Sequence, residues 1–208
     1  MLNNIMYEEE LKKIYERIRK EIEKRIIEFE KKKSDKEIFA EFVFCLLTPQ
    51  SKAKACWHAV LNLIKDGLLF GGGEEEIEKK LKGIRFKNKK ASYIKEARKF
   101  FADIVRIKDK KPNEAREWLV KNIKGMGYKE ASHFLRNIGM GENFAILDRH
   151  ILKNLKKAGV INKIPSSLTK EKYFKIEEKM KAFAKKINIP LNHLDLLLWY
   201  KETGEVFK

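Results

Sequence analysis

The segment Ile123-Lys124-Gly125-Met126-Gly127-Tyr128-Lys129 decides the fold, because two glycines flank one apolar residue between two amphipathic stretches. Glycine allows a tight backbone turn and lets the neighbouring N–H groups approach another molecule closely. A helix that begins at such a turn attracts anions such as phosphate to its N-terminus. Lys129 lies one turn into that helix, so the pattern predicts an amine beside a bound phosphate backbone.

The charge balance predicts a polyanionic partner. The chain carries 47 basic and 30 acidic residues, a net charge of +17. Nucleic acid is the default partner for such a surplus. The alternative is a merely soluble, heat-stable protein, since Lys and Glu are abundant and Gln50 is the only glutamine. That alternative explains a thermophilic composition but not the sign of the charge.

The basic residues concentrate in one region. Residues 79–111 hold fourteen Lys or Arg against three acidic residues, a net of +11. Most of these lysines are expected to line a solvated helix face. The segment from Arg85 to Lys90 differs, because Phe86 stands among cations in a loop after Gly83, where its ring can stack on or wedge beside a base.

The two cysteines and the hydropathy indicate an intracellular protein. Cys45 and Cys56 show no metal-ligand spacing and lie in apolar helical segments, so we expect reduced core residues. No apolar stretch approaches the roughly 18 residues of a membrane span. The N-terminus soon enters a charged helix, which argues against a signal peptide.

Hydrophobic periodicity predicts an all-α protein. Ser34 and Glu37 form a capping box, Ser51 is expected to start a helix, and Pro112 suits a first helical turn. The predicted helices cover about 11–29, 35–47, 51–66, 74–82, 88–106, 112–123, 128–138, 149–158, 169–187 and 191–202. Six of them lie between Ser34 and Gly139. We therefore expect a six-helix domain at 34–142, and a second helical domain from 1–33 with 143–208, with the glycine turn at their junction.

The helix after the glycine turn has two faces. One is apolar, and the opposite face carries Lys129, His133 and Arg136 at spacings of four and three. A surface lysine is the default interpretation of Lys129. Its position directly after Gly-Met-Gly favours a nucleophile instead, because desolvation or nearby cations lower the pKa of a lysine. His133 is expected to be a helper or structural residue.

Asp148 precedes an apolar helix and is expected to be its N-cap. A capping carboxylate stays ionised and can also stabilise positive charge that develops on a sugar, so the two roles do not compete. Arg149 and His150 follow in the first turn, where they are expected to contact phosphate or pack.

Taken together, Lys124 to Lys129 and Ala145-Ile146-Leu147-Asp148-Arg149-His150 resemble the helix-hairpin-helix/Gly-Pro-Asp superfamily of base-excision repair DNA glycosylases. More closely, the chain resembles the archaeal-type 8-oxoguanine DNA glycosylase/AP lyases. That similarity rests on the Arg85-Phe86 segment, the hairpin as far as Gly139, and the ending from Leu194 through Trp199 to a C-terminal Lys208. The pair before Asp148 is Ile-Leu rather than Gly-Pro, which leaves the acid itself in place.

The resemblance implies a mechanism and a set of roles. Lys129 attacks the sugar and expels 8-oxoguanine, and a Schiff base then permits β-elimination, while Asp148 stabilises the positive sugar. Gln50 probes the gap in the duplex. Phosphate and other DNA contacts fall to Gly125, Gly127, Arg149, Gln50 and Arg85, and base-pocket roles to Phe86, Trp199 and Lys208. The alternative interpretations of Trp199 and Lys208 are a core residue and a frayed tail.

The resemblance also bears on cofactors and partners. It implies a monovalent cation, K⁺ or Na⁺, at the hairpin carbonyls near Ile123, and a monomer that binds damaged DNA without a membrane. A cytoplasmic, nucleoid-associated protein of a thermophilic prokaryote is expected. No four-cysteine cluster follows Asp148, which excludes an iron–sulfur cluster of the endonuclease III type. The alternatives are a non-catalytic helix-hairpin-helix DNA-binding protein, which needs neither Lys129 nor Asp148, and a glycosylase for oxidised pyrimidines.

Overall fold

The computed structural model describes residues 2–208, and the described residues form helices and loops without a strand. This confirms the all-α fold class. The α-helices are α1 (Leu2–Glu30), α2 (Asp35–Leu47), α3 (Ala53–Lys65), α4 (Glu74–Lys80), α5 (Lys87–Ala97), α6 (Phe101–Val105), α7 (Pro112–Asn122), α8 (Tyr128–Asn137), α9 (Arg149–Lys157), α10 (Lys170–Ile187) and α11 (Leu191–Thr203). None of them is long and apolar enough to cross a membrane.

The chain divides into two compact units. One comprises residues 32–140 and is called the hairpin unit here; the other joins the described part of 1–31 to 141–208 and is called the split unit. The sequence-based prediction placed the same two divisions at 33/34 and 142/143. The hairpin unit therefore contains the glycine turn and Lys129, and the split unit contains Asp148, Trp199 and Lys208.

In the hairpin unit, α2 is the central helix. Every residue from Ile38 to Leu47 is buried, and α3, α5, α6 and α8 all pack against this helix. Its start is the predicted capping box: the Ser34 N–H donates to Glu37 Oε2 at 2.8 Å, and the Glu37 N–H donates back to Ser34 Oγ at 3.4 Å. The C-terminal end of α2 is thereby fixed in the interior, next to the candidate site.

Two helix predictions in this unit were wrong in detail. Ser51 does not start α3, which begins at Ala53 after Lys52; the Ser51 hydroxyl instead accepts the Arg85 N–H at 3.0 Å. The helix predicted at 88–106 is interrupted by a 3₁₀ turn at Arg98–Phe100. The interruption coincides with Arg98, whose guanidinium donates to the carbonyls of a neighbouring glycine-rich loop: Leu68 at 2.5 Å, Leu69 at 3.2 Å and Gly72 at 2.9 Å. Between 34 and 139 the chain thus forms seven α-helices rather than six.

The split unit is built around α11. Helices α1, α9 and α10 all pack against it, and the predicted apolar stripe of α1 is buried at Leu11, Ile18, Ile22 and Phe29. Both cysteines belong to the hairpin unit, where they are buried thiols rather than a disulfide, as expected. Burial raises the pKa of the Cys56 thiol to about 11, so this thiol stays protonated at neutral pH.

Candidate active site

The hairpin turn requires glycine at one position more than at the other. Gly125 has φ +83°, and a Cβ there would lie 2.4 Å from Cδ2 of Tyr93, so both backbone conformation and packing exclude a side chain. Gly127 has φ −93°, which any residue adopts. Between them, the Met126 N–H donates to the Ile123 carbonyl at 3.2 Å and closes the turn.

A carboxylate already occupies the N-terminus of α8. Gly127 is the N-cap, and its N–H donates to Glu130 Oε2 at 3.3 Å. The other carboxylate oxygen, Glu130 Oε1, lies 3.6 Å from Lys129 Nζ. A phosphate bound at the Gly127 N–H would therefore compete with Glu130 for this donor.

Lys129 is partly enclosed and has a defined partner. Its Nζ donates to Thr48 Oγ1 at 3.0 Å, and 19% of its side chain is exposed. The Thr48 hydroxyl in turn donates to the Cys45 carbonyl at 2.8 Å. No sequence pattern indicates Thr48 as the acceptor, because the two residues lie 81 positions apart.

The polar side chains predicted to share a face with Lys129 are less exposed to solvent than expected. His133 and Arg136 are each 6% exposed, and the His133 ring packs edge-on against Phe44 at 5.5 Å between ring centroids. Arg136 donates to Asn137 Oδ1 at 3.1 Å, and the Asn137 amide donates to Glu41 Oε2 at 3.0 Å. Because α2 contributes Glu41, the polar face of α8 lies against that helix along most of its length, and Lys129 at its first turn is the accessible member.

Three other predicted residues of the hairpin unit lie on exposed loops. Gln50 and Phe86 both have φ +56°, a left-handed conformation that non-glycine residues seldom adopt and that concentrates at functional sites. Half of the Phe86 side-chain surface is exposed, and the Arg85 guanidinium lies 5.5 Å from its ring centroid. An exposed aromatic ring beside a cation has the form expected for stacking on a base.

In the split unit, Asp148 is the N-cap of α9, as predicted. Its Oδ1 accepts the Ile151 N–H at 2.8 Å. Arg149 is exposed, and the ring of His150 meets Trp199 edge-on, with 5.4 Å between centroids. The Trp199 Nε1 is buried, and the described residues offer it no hydrogen-bond acceptor.

Glu202 is a residue of this unit that the sequence-based prediction missed. Its carboxylate accepts from Lys153 at 2.8 Å and from the Asn154 amide at 3.2 Å. Its Oε2 also lies 3.7 Å from His150 Nδ1, and its Oε1 lies 3.9 Å from Lys157 Nζ. The hydrogen bond from Lys153 is the largest reason that the pKa of Glu202 is lowered. The Glu202 carboxylate of α11 thus contacts four side chains of α9. Neither helix shows this clustering in its own sequence pattern.

The last residues of the chain are partly buried. Val206 is buried, with 5% exposure, and Lys208 is half-buried. This burial favours a packed Lys208 over a frayed tail.

Within the described residues, no group of three or more His, Cys, Asp or Glu side chains is arranged to hold a metal ion.

Sequence and structure comparisons extend these observations to known proteins. The sequence model of the family described as 8-oxoguanine DNA glycosylase matches residues 22–189. The chain belongs to this family. A relative from Fusobacterium nucleatum named 8-oxoguanine DNA glycosylase/AP lyase is 46% identical, over 97% of this chain and 98% of the relative.

Solved structures of family members share the fold over the whole chain. The crystal structure of the Thermotoga maritima 8-oxoguanine DNA glycosylase has a TM-score of 0.91 at 35% identity, covering 99% of this chain and all of that one. The Methanocaldococcus jannaschii glycosylase/lyase, solved in complex with a 15mer DNA containing 8-oxoguanine, has a TM-score of 0.90 at 40% identity and covers 98% and 100% of the two chains.

Proposed function

We propose that this family member removes 8-oxoguanine from DNA and then nicks the strand at the resulting abasic site. One observation carries the proposal: bifunctional glycosylase/lyases match the chain over almost its entire length. The partly enclosed Lys129 at the start of α8 supplies the amine that a lyase needs. Its hydrogen bond to Thr48 and the nearby Glu130 carboxylate hold that amine in one place.

Catalysis then follows from the chemistry of the two candidate residues. The target base leaves the duplex stack, because its sugar cannot be reached inside the helix. The neutral Lys129 amine forms a bond to C1′ as the bond from C1′ to the base breaks, and the base leaves with that electron pair. The Asp148 carboxylate, held at the N-terminus of α9, stabilises positive charge on the sugar. The nitrogen bound to C1′ then passes a proton to O4′ as the C1′–O4′ bond breaks, which opens the sugar to a protonated Schiff base. The Schiff base acidifies the C2′ proton, whose loss breaks the C3′–O bond and expels the 3′ phosphate.

Recognition is divided between base and backbone contacts. We assign the base pocket to Phe86, Trp199 and Lys208: Phe86 has an exposed ring, and the N–H of Trp199 lacks an acceptor among the described residues. Gln50, on its exposed left-handed turn, enters the gap in the duplex. The backbone contacts position the DNA without reading its sequence, and they involve Gly125, Gly127, Arg85 and Arg149.

Further properties belong to the same proposal. A monovalent cation, K⁺ or Na⁺, binds at the hairpin carbonyls; the Ile123 carbonyl accepts one hydrogen bond and keeps a second lone pair for it. The protein acts as a monomer on damaged DNA, near the nucleoid of a thermophilic prokaryote. A charge of +17 supports affinity for DNA.

Borohydride trapping on four duplexes tests this function. The duplexes share the sequence that flanks the lesion site, and they carry 8-oxoguanine, an oxidised pyrimidine, an abasic site or no lesion there. We expect a trapped adduct and release of free base with 8-oxoguanine. A faster reaction with the oxidised pyrimidine would identify the other glycosylase class. Binding without trapping on any duplex, an abasic one included, would identify a non-catalytic DNA-binding protein.

A further inference from the structure

The hairpin unit contains a second, buried lysine next to the candidate nucleophile. Lys90 belongs to α5, yet only 4% of its surface is exposed. Its Nζ donates to the Leu47 carbonyl at 2.7 Å, the Pro49 carbonyl at 2.7 Å and Ser51 Oγ at 3.1 Å. An ammonium has three N–H donors, whereas a neutral amine has two, so three acceptors match the charged form.

The acceptors of Lys90 lie at the C-terminal end of α2 and in the turn that follows it. Leu47 is the last residue of α2, where a cation is favoured by the helix dipole. The same Leu47 carbonyl also accepts from the Cys56 thiol at 3.3 Å. Removing the ammonium would leave the Pro49 carbonyl with only a weak donor, since the Ser51 hydroxyl lies 3.4 Å away.

That turn joins three predicted parts of the site. Thr48 accepts from Lys129 Nζ, and Gln50 is the exposed left-handed residue at its tip. Ser51 Oγ accepts from the Arg85 N–H at 3.0 Å as well as from Lys90. One ammonium and one hydroxyl therefore link the nucleophile's acceptor, the gap-probing residue and the Arg85-Phe86 segment. These residues lie far apart in sequence, and all belong to the hairpin unit.

We propose that Lys90 is a positioning residue of the glycosylase/lyase reaction: through the turn at Thr48–Ser51 it fixes the Lys129 amine and the loops of Gln50 and Phe86. This inference rests on the proposed function. Lys90 itself is surrounded by protein oxygens and does not reach substrate, so its role is exerted through other residues. Its role depends on its own protonation, because the three acceptors match the ammonium.

The groups around Lys90 determine the direction in which its own pKa departs from the ordinary value. Burial is the largest influence and lowers the pKa of Lys90; the charges of Lys129 and Arg85 lower it further, whereas Cys56 and Glu130 raise it. Lys90 therefore loses its proton at a lower pH than an ordinary lysine. Because the three acceptors need the ammonium, the trapping rate of the wild-type protein should fall at alkaline pH as Lys90 loses its proton.

Lys90→Met tests the proposal, because methionine keeps an unbranched chain and removes the charge and the three donors. Single-turnover trapping and nicking are measured on an abasic duplex across pH, with affinity for an undamaged duplex measured separately. We expect a roughly tenfold to hundredfold lower trapping rate, no fall of that rate at alkaline pH, and affinity within about twofold of wild type. Lys95→Met is the control, since Lys95 lies on the same helix, exposed and paired with Glu74 at 3.5 Å.

Three results would contradict the proposed role of Lys90. A wild-type rate in Lys90→Met, with the same fall at alkaline pH as in wild type, would overturn the proposal. So would a lower rate that keeps the alkaline fall and comes with an equal loss of DNA affinity, which would show a general structural role. If Lys90→Met does not melt cooperatively, Ser51→Ala decides: it removes the shared acceptor of Lys90 and Arg85, and we expect a several-fold slower trapping rate. A wild-type rate in Ser51→Ala would then reject the network. Inactive wild-type protein would instead refute the proposed function.

Discussion

The two helices that begin beside the candidate catalytic residues are capped in different ways. Helix α8 follows Gly127, which has no side chain, and Glu130 from its first turn accepts the Gly127 N–H at 3.3 Å. Helix α9 follows Asp148, whose own carboxylate accepts the Ile151 N–H at 2.8 Å. A carboxylate thus stands at both helix starts, but only in α9 is it the candidate catalytic group.

This difference in capping indicates how the N-termini of α8 and α9 would act in catalysis. The Asp148 carboxylate is held by a short hydrogen bond within its own turn, which suits an anion that must stay in place while charge develops. The Glu130 contact at α8 is longer and lies beside Lys129, so we expect a DNA phosphate to replace it. Under the proposed function, the start of α9 holds a fixed anion, and the start of α8 exchanges an internal anion for an external one.

Lys129→Gln is expected to have the largest effect, because it removes the nucleophile. Base release and nicking should fall by about 10³-fold or more, and borohydride should trap no adduct. Affinity for the duplex should stay close to that of wild type, since the backbone contacts remain. The control is Lys121→Gln, an exposed residue in the last turn of α7. An undiminished adduct in Lys129→Gln would show that another amine reacts.

Asp148→Asn tests the fixed anion at α9. Asn caps helices about as well as Asp, so the thermal midpoint should hardly change, whereas the single-turnover rate should fall by roughly 10²- to 10³-fold. Asp148→Ala should lose the cap as well, at a cost of about 1 kcal/mol of stability. If Asp148→Asn reacts at the wild-type rate, Asp148 is only a cap and the contrast between the two helix starts has no catalytic meaning.

Local rules explain which parts of the molecule the sequence predicted. The capping box at Ser34, the cap at Asp148 and the start of α7 at Pro112 each involve residues within one turn, and the structure confirms all three. The break at Arg98 was not predictable in this way, because its carbonyl partners lie 26 to 30 residues away.

The candidate site shows the same division between local and distant information. The Gly-Met-Gly turn marks Lys129, and the position of Asp148 before an apolar run marks its cap. The Thr48 acceptor, the buried ammonium of Lys90 and the cluster at Glu202 depend on packing between helices distant in the chain. Lys90 in particular ends the segment from Arg85 to Lys90, where the sequence predicts only cations around Phe86, and only the fold places it in the interior.

Deleting Lys208 tests whether the split unit also reads the base. We expect roughly tenfold slower excision of 8-oxoguanine, the order expected for one charge-assisted contact. Nicking at a preformed abasic site should be nearly unchanged, because that reaction needs Lys129 but no base. An equal loss on both substrates, or no loss on either, would reject Lys208 as a base-reading residue and leave selectivity to Trp199 and Phe86.

Glu202→Gln should have the smallest effect and is measured as stability against pH. Hydrogen bonds from Lys153 and Asn154 lower the pKa of Glu202 below its ordinary value of 4.5. A carboxyl with a lowered pKa in the folded state stabilises the fold above its unfolded pKa, and this stabilisation is lost as pH falls through the folded value. The variant should therefore be less stable than wild type at neutral pH, by under about 1 kcal/mol because the lysine partners are exposed. The difference between the two proteins should shrink as pH falls below about 4.5.

Glu142→Gln, at an exposed position outside the helices, is the control for Glu202→Gln and should show no such dependence. A difference that is constant from pH 7 to pH 3 would mean that Glu202 contributes packing rather than charge to the cations of α9.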